Sequence, residues 1–241
     1  MIPKLIHQTA KDASIPAEWV SIVAAARALH PDWKYRLWTD ADSIALIREK
    51  RPKLAAVFDA VPRKVMRADI IRCFLMEQYG GLYFDLDYEF LKPFAFAEKL
   101  VVLPRESDDD QPVFLGNAVF ASERGHSFWT AILDRIETYS FNEYSEISEE
   151  DVIDLTGPGL VTEIYRNGFL ESDDIFIPRH REFNPSIPKT LEEREFLILE
   201  GVAYGIHYCH GSWRALTKKQ RIIAKIKKYG KRLIRLLKGV R

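Results

Sequence analysis

Residues 67–87, RADIIRCFLMEQYGGLYFDLD, contain the end of one helix and the whole of the following strand. Apolar residues recur at helical spacing from Lys64 to Tyr79, and Gly80–Gly81 provides the backbone freedom that ends such a helix. The apolar stripe of this helix consists of Ile70, Ile71, Phe74 and Leu75. A strand is predicted over residues 82–85. The stretch therefore predicts a helix that packs against a sheet.

Strands and helices alternate on both sides of this stretch, at least through the first half of the chain. Further strands are predicted at residues 4–9, 35–38, 100–103, 113–121, 175–177 and 203–209. Further helices are predicted from the Ser14–Pro16 region to about His30, from Thr39 or Asp40 to about Lys50, from Pro52, and over 126–139 and 159–167. This alternation predicts an α/β fold with a largely parallel sheet flanked by helices.

The composition is that of a soluble globular protein, with 47% hydrophobic and 29% charged residues among 241. Two cysteines are too few for a disulfide scaffold and form no paired metal-binding motif. There is no run of 18 apolar residues, which excludes a membrane-spanning helix, and the first residues lack the apolar core of a signal peptide. A cytoplasmic location is therefore expected.

Charge is distributed unevenly, although Lys+Arg and Asp+Glu both total 35. Residues 218–241 contain 11 basic residues and no acidic one, which leaves an excess of 11 acidic residues on the rest of the chain. We therefore expect two parts, a domain over residues 1–217 and a basic tail over 218–241.

The tail has the pattern of a basic amphipathic helix. Its apolar stripe consists of Ile222, Ile226, Tyr229, Leu233 and Leu237. Such a helix favours an anionic membrane surface as partner and a peripheral location, although packing on the acidic domain or full solvation would also fit the pattern. Nucleic acid is not expected, because Tyr229 is the one aromatic residue in the tail.

Two aspartates follow the buried strand of the opening stretch. Alternate strand residues point to the same face, so Asp85 and Asp87 are expected to present two carboxylates at the strand's end. Close carboxylates repel each other unless a cation lies between them, and Mg2+ or Mn2+ prefers such oxygen ligands. A solvated acidic turn is the alternative, but the surrounding bulky side chains favour a metal-binding site.

Asp69 and Arg72 share a face of the preceding helix. Their spacing alone predicts a surface ion pair of small energetic value. The alternative is functional: Arg72 would face a phosphate or a sugar hydroxyl, and Asp69 would orient it.

In combination, these motifs resemble the DXD-containing glycosyltransferases, the sugar-binding family that includes bacterial capsular polysaccharide transferases and fungal initiating mannosyltransferases. The similarity covers residues 2–213. It is carried by the segments 2–9, 37–40, 67–72, 79–87, 116–122 and 207–213. The resemblance implies a GT-A fold, in which a Rossmann-like nucleotide-binding sheet is flanked by helices. One departure is Ala10, where the family often has a tryptophan.

The resemblance also implies roles for individual residues. Asp85 and Asp87 match the metal and donor carboxylates, Asn117 matches a polar group beside the transferred sugar, and His207 could complete the metal site. Substrate contacts are implied for the segment His7, Gln8 and Thr9, for Asp69, Arg72 and Tyr83, and for Ser212 and Trp213.

The expected function is therefore metal-dependent transfer of a sugar from a nucleoside diphosphate sugar, with Mn2+ or Mg2+ as cofactor. A UDP-hexose is the preferred donor and a glycan or lipid-linked molecule the acceptor. Retention of the anomeric configuration rests on the resemblance. Bacterial surface polysaccharide synthesis, at the inner face of the membrane, is the expected setting. A nucleotide-sugar hydrolase with the same carboxylates and a non-catalytic nucleotide-sugar binding module remain alternatives.

Overall fold

The computed structural model describes residues 1–141 and 146–209. The elements in chain order are β1 (Leu5–Ala10), α1 (Ala17–Leu29), β2 (Lys34–Thr39), α2 (Asp40–Lys50), α3 (Pro52–Ala60), α4 (Lys64–Tyr79), β3 (Gly81–Phe84), β4 (Tyr88–Phe90), β5 (Val101–Val102), β6 (Val119–Ser122), α5 (Ser127–Ile136), α6 (Glu149–Leu155), α7 (Pro158–Gly168), β7 (Ile175–Phe176), α8 (His180–Phe183), α9 (Leu191–Glu200) and β8 (Gly205–His207).

The main sheet has six strands in the order β2-β1-β3-β6-β5-β7. Strand β1 pairs in parallel with β2 and β3, and β5 pairs in parallel with β7. Strand β6 is antiparallel to both of its neighbours. The prediction of a largely parallel α/β sheet is confirmed, with β6 as the reversed strand. Strands β4 and β8 form a separate antiparallel sheet of two strands, and β4 is the next strand after β3 in the chain.

The junction between α4 and β3 has a specific need for glycine. Gly80 and Gly81 both have positive φ angles, +63° and +99°, which L side chains rarely adopt. A Cβ on Gly81 would also lie 2.3 Å from the Leu5 carbonyl oxygen of β1. The glycine pair therefore ends α4 as predicted and lets β3 approach β1 closely enough to pair.

Segment 113–121 was predicted as one strand, but only its end is extended. Strand β6 begins at Val119, and an isolated antiparallel bridge joins Arg105 to Leu115. The side chain of Arg105 donates to the carbonyl oxygens of Asp108 and Gln111. Residues 105–115 therefore form a loop whose two sides are joined by the side chain of Arg105 and by this bridge.

An apolar core packs against the main sheet within the described residues. In it, the rings of Phe84, Tyr88 and Phe90 pack against one another. None of the helices within residues 1–141 and 146–209 has the length and apolar composition needed to cross a bilayer. The predicted boundary at residue 217, the basic tail, and the predicted contacts Ser212 and Trp213 lie outside the described residues.

Candidate metal and donor-sugar site

The two aspartates lie in a tight turn that joins the main sheet to the small one. Strand β3 ends at Phe84, and the Tyr88 N–H donates to the Asp85 carbonyl oxygen at 3.0 Å. The prediction that strand alternation aligns the two carboxylates is therefore wrong in its mechanism, because Asp85 and Asp87 lie in the turn after β3. Strand β4 then pairs with β8, and this pairing places Tyr88 opposite His207.

Asp85, Asp87 and His207 form a cluster that could hold a metal ion. One ligand atom from each lies within 4.8 Å of the others, and all three residues are half-buried. His207 Nε2 is 3.5 Å from Asp87 Oδ1. Two carboxylates and one imidazole form a donor set that fits a divalent ion such as Mn2+. The residues present therefore fit the metal that the sequence predicts.

The protonation of His207 is coupled to its pairing with Asp87. Burial lowers its pKa, but the hydrogen bond with Asp87 and its other neighbours outweigh burial and raise the pKa to about 10. The protonated ring is therefore paired with the Asp87 carboxylate. A metal ligand must be the neutral imidazole, so ion binding would release this proton.

Arg72 lies directly behind the cluster. Its guanidinium is 3.2 Å from Asp85 Oδ1 and 3.6 Å from Asp69 Oδ1, and it also donates to the Asn117 carbonyl oxygen. Asp69 is 3% exposed and Arg72 is 5% exposed. The surface ion pair predicted from their spacing is therefore wrong: α4 turns both side chains into the protein, towards the site.

Asp69 is a buried carboxyl group with several donors. The Asn117 amide donates to Oδ1 at 2.9 Å, and the Thr156 hydroxyl lies 3.2 Å from Oδ2. Burial is the largest influence and raises the pKa of Asp69 to about 7, against the opposing effect of Arg72. The structure thus brings the predicted residues Asp69, Arg72 and Asn117 together beside Asp85.

His7 of β1, predicted to contact the substrate, is buried inside the protein. His7 is fully buried; its Nδ1 accepts from the Trp38 indole N–H at 2.9 Å, so its Nε2–H donates to the Gly80 carbonyl oxygen, also at 2.9 Å. Burial lowers the pKa of His7 to about 4. Both ring nitrogens are used within the protein, so direct substrate binding by His7 is not supported.

Gln8, Thr9 and Tyr83 reach the site through other groups. Gln8 is fully buried, accepts from the Tyr35 hydroxyl at 3.0 Å and donates to the Asp85 carbonyl oxygen at 3.5 Å, which also argues against direct substrate contact. Thr9 lies 3.1 Å from the Tyr83 hydroxyl, which donates to Asp85 Oδ1 at 2.7 Å. Tyr83 is fully buried, so its place is beneath the Asp85 carboxylate.

Thr156 belongs to this network and was not predicted. It precedes Gly157-Pro158-Gly159, and a threonine beside glycine and proline gives no local signal of contact with a residue 87 positions earlier. Only the tertiary fold brings it to Asp69.

Comparison with known proteins agrees with the sequence motifs. Residues 16–107 match the family described as the glycosyltransferase sugar-binding region containing a DXD motif. Inositol phosphoceramide mannosyltransferase 2 of Schizosaccharomyces pombe is 37% identical over 57% of this chain and 39% of that protein. Mannosyl phosphorylinositol ceramide synthase CSH1 of Saccharomyces cerevisiae is 32% identical over 69% of this chain and 43% of that protein. The chain thus spans about two fifths of the length of these curated relatives.

Solved structures support the fold. The PaToxG glycosyltransferase superposes with a TM-score of 0.55 and 16% identity, and covers 70% of each chain. The ligand-free glycosyltransferase domain of the YGT toxin superposes with a TM-score of 0.57 and 10% identity, over 73% of this chain and 80% of that one. Residues 16–107 therefore match the DXD-containing sugar-binding region of glycosyltransferases, and the α/β fold of the chain is of the GT-A type.

Proposed function

We propose that this protein is a metal-dependent hexosyltransferase that uses a nucleoside diphosphate sugar. The observation that carries the proposal is the adjacency of two groups of side chains. One is the Asp85–Asp87–His207 cluster. The other is the buried network of Asp69, Arg72 and Asn117, which Arg72 joins to Asp85.

The chemistry follows from where negative charge develops. The leaving group is a nucleoside diphosphate, and its departure concentrates charge on phosphate oxygens. A divalent ion held by Asp85, Asp87 and His207 would supply the compensating positive charge when bound. Arg72 fixes the orientation of Asp85, and it adds a permanent positive charge behind that carboxylate.

Asp69 and Asn117 are proposed to contact the hydroxyl groups of the transferred sugar. Their side chains are hydrogen-bonded to each other at 2.9 Å, so each constrains the other's rotamer. Unlike the two ring nitrogens of His7, each Asp69 oxygen can accept a second hydrogen bond, and Asn117 is half-buried, so the pair can still bind sugar hydroxyls. Retention of the anomeric configuration is part of the proposal because the family resemblance implies it.

The names of the relatives bear on donor and acceptor. Those named above are yeast proteins, one described as an inositol phosphoceramide mannosyltransferase and the other as a mannosyl phosphorylinositol ceramide synthase. They support a hexose donor, with mannose beside the predicted UDP-hexose as a candidate, and an acceptor with a lipid anchor. They give no support to the predicted role in bacterial surface polysaccharide synthesis.

The direct test is a screen of UDP- and GDP-linked hexoses with Mn2+, read as thermal stabilisation. A ligand that binds only the native state raises stability by mass action, by about 2.7 kcal/mol at 100 times its Kd. We expect stabilisation by at least one nucleotide sugar, and its loss when a chelator removes the ion.

Turnover separates transfer from the alternatives. Release of nucleotide from the stabilising donor should accelerate strongly when a glycolipid or glycan acceptor is added. A rate independent of every acceptor would favour the hydrolase, and binding without any turnover would favour the binding module. Equal stabilisation with and without metal would contradict metal dependence.

The basic tail is proposed to attach the enzyme peripherally to an anionic membrane surface, which in cells is typical of the cytoplasmic leaflet. Replacing Lys225, Lys227, Lys228 and Lys231 with Gln in the full chain should reduce flotation with anionic liposomes. At about 1 kcal/mol for each cation, partitioning should fall by at least ~100-fold. The matched control replaces four exposed lysines of the domain outside the tail, Lys11, Lys34, Lys50 and Lys53, with Gln. An equal effect of both sets would remove the proposed role of the tail.

A further inference from the structure

Thr156 is a buried residue at the corner between α6 and α7. It is 1% exposed and caps the end of α6, where its N–H donates to the Val152 carbonyl oxygen. Its hydroxyl lies 3.2 Å from Asp69 Oδ2 and 3.3 Å from the Val152 carbonyl oxygen. A threonine hydroxyl has one proton to donate, and a buried carboxylate oxygen is the stronger acceptor of the two.

Thr156 and Asn117 hold opposite oxygens of the same carboxylate. Asn117 donates to Oδ1 of Asp69, and Arg72 also lies on the Oδ1 side, at 3.6 Å. Thr156 is the hydrogen-bond partner found for Oδ2 among the described residues. Two donors on two oxygens fix the rotation of the carboxylate about χ2, a torsion that is otherwise broad.

The corner itself is tightly built. A Cβ on Gly159 would lie 2.4 Å from Asp154 Oδ1 and 2.9 Å from the Ile153 carbonyl oxygen. A Cβ on Gly157 would lie 3.0 Å from Ile153 Cα. Because the start of α7 packs so closely on the end of α6, the backbone around Thr156 has little freedom. The hydroxyl is therefore presented to Asp69 from a rigid support.

We infer that Thr156 is a positioning residue that orients the Asp69 carboxylate toward the donor sugar. This inference rests on the proposed function, in which Asp69 contacts sugar hydroxyls while the metal cluster binds the diphosphate. It follows that loss of the Thr156 hydroxyl should affect recognition and transfer of the sugar. Binding of a nucleoside diphosphate, which lacks the sugar, should be unaffected.

The test compares Thr156→Val, which keeps the shape but removes the hydroxyl, with Thr156→Ser, which keeps the hydroxyl. Thr130→Val is a matched control, because the Thr130 hydroxyl also donates to a carboxylate, that of Glu77, at 3.0 Å. Glu77 lies two turns along α4 from Asp69, about 12 Å at 1.5 Å per residue. Measured quantities are kcat and KM for the nucleotide sugar, Kd for the nucleoside diphosphate with Mn2+, and the thermal midpoint.

We expect Thr156→Val to lower kcat/KM by about 10-fold, as for loss of one hydrogen bond to a charged group. Its Kd for the nucleoside diphosphate should stay within about 2-fold of wild type, Thr156→Ser should recover most of the activity, and Thr130→Val should match wild type.

Wild-type kinetics in a folded Thr156→Val variant would overturn the inference. Equal weakening of nucleotide binding and turnover would also overturn it, because that would show a general structural role. If Thr156→Val does not fold, failure of Thr156→Ser to retain activity would overturn it as well. Absence of nucleotide binding or turnover in the wild type would instead overturn the proposed function, and the inference with it.

Discussion

Asp87→Asn should abolish most of the transferase activity while leaving the fold intact. Asparagine keeps the shape of aspartate but removes the negative charge that holds the cation against the diphosphate. Loss of one electrostatic contribution of this kind typically costs about 10^2- to 10^3-fold in kcat. The measurement is steady-state nucleotide release across a series of Mn2+ concentrations, where the metal dependence should shift to higher concentration. Because Asp87 also pairs with His207 at 3.5 Å, the thermal midpoint should fall, and activities are compared at a temperature where both proteins are folded.

The matched control is Asp59→Asn. Asp59 lies at the end of α3 and forms an ion pair with Arg48 at 2.9 Å, with its side chain 45% exposed. The same chemical change there should leave kcat and the metal dependence at wild-type values. If Asp87→Asn retained kcat within a few-fold of wild type at low Mn2+, the carboxylate would have no role in holding a catalytic ion.

Arg72→Met should impair both stability and turnover. The substitution removes the cation between two carboxylates, one of them fully buried, and keeps most of the apolar volume. Removing one partner of a buried pair typically costs about 3–5 kcal/mol, because the remaining charge is left uncompensated. Turnover should fall by at least ~100-fold as Asp85 loses its fixed orientation. Urea unfolding and nucleotide-release assays measure the two effects.

The stability loss in Arg72→Met should depend on pH in a defined direction. Asp69 already has a folded-state pKa of about 7, above its ordinary value of 3.8, and loss of Arg72 would raise it further. A carboxyl group with a raised folded-state pKa destabilises the protein as pH rises above its unfolded value. The loss should therefore be larger at pH 7.5 than at pH 5. An equal loss at both values would show that the Asp69 charge is not its origin.

Arg51→Met is the control for a half-buried, multiply paired arginine outside the site. Arg51 pairs with Glu77 at 2.7 Å and with Glu137 at 2.5 Å, and also contacts Asp134. Its loss should destabilise the protein by a comparable mechanism, yet the folded fraction should retain its kcat. Loss of kcat in both variants would attribute the Arg72 effect to destabilisation alone.

Local sequence signals predicted much of the fold because they act within one or two turns. Helix α4 has the predicted bounds, since a periodic apolar stripe and two glycines define its end. Thr39 forms the predicted cap of α2 through reciprocal hydrogen bonds with Asp42. By contrast, α6, α8, α9 and β4 were not predicted. Helix α6 begins with a capping box at Ser148 and Asp151, a signal that was present in the sequence and overlooked.

The candidate site was also predicted in part: its residues were identified, but their surroundings were not. The motif residues were identified by their resemblance to a family, but their burial was not. Spacing cannot tell a surface pair from the buried Asp69–Arg72 pair, because the difference depends on what packs against α4. Likewise, the contacts of His7 with Trp38 and Gly80 depend on strand pairing and on the end of α4. These partners are distant in sequence, so local sequence patterns could not predict the contacts.

The central claim is that the turn between β3 and β4 holds a divalent ion at the diphosphate of the donor. A crystal structure with Mn2+ and a nucleoside diphosphate, read by anomalous scattering at the manganese edge, tests it most directly. The manganese peak should be bounded by Asp85, Asp87 and His207 and should contact phosphate oxygens. A bound nucleotide whose manganese peak lies away from these three side chains would contradict it.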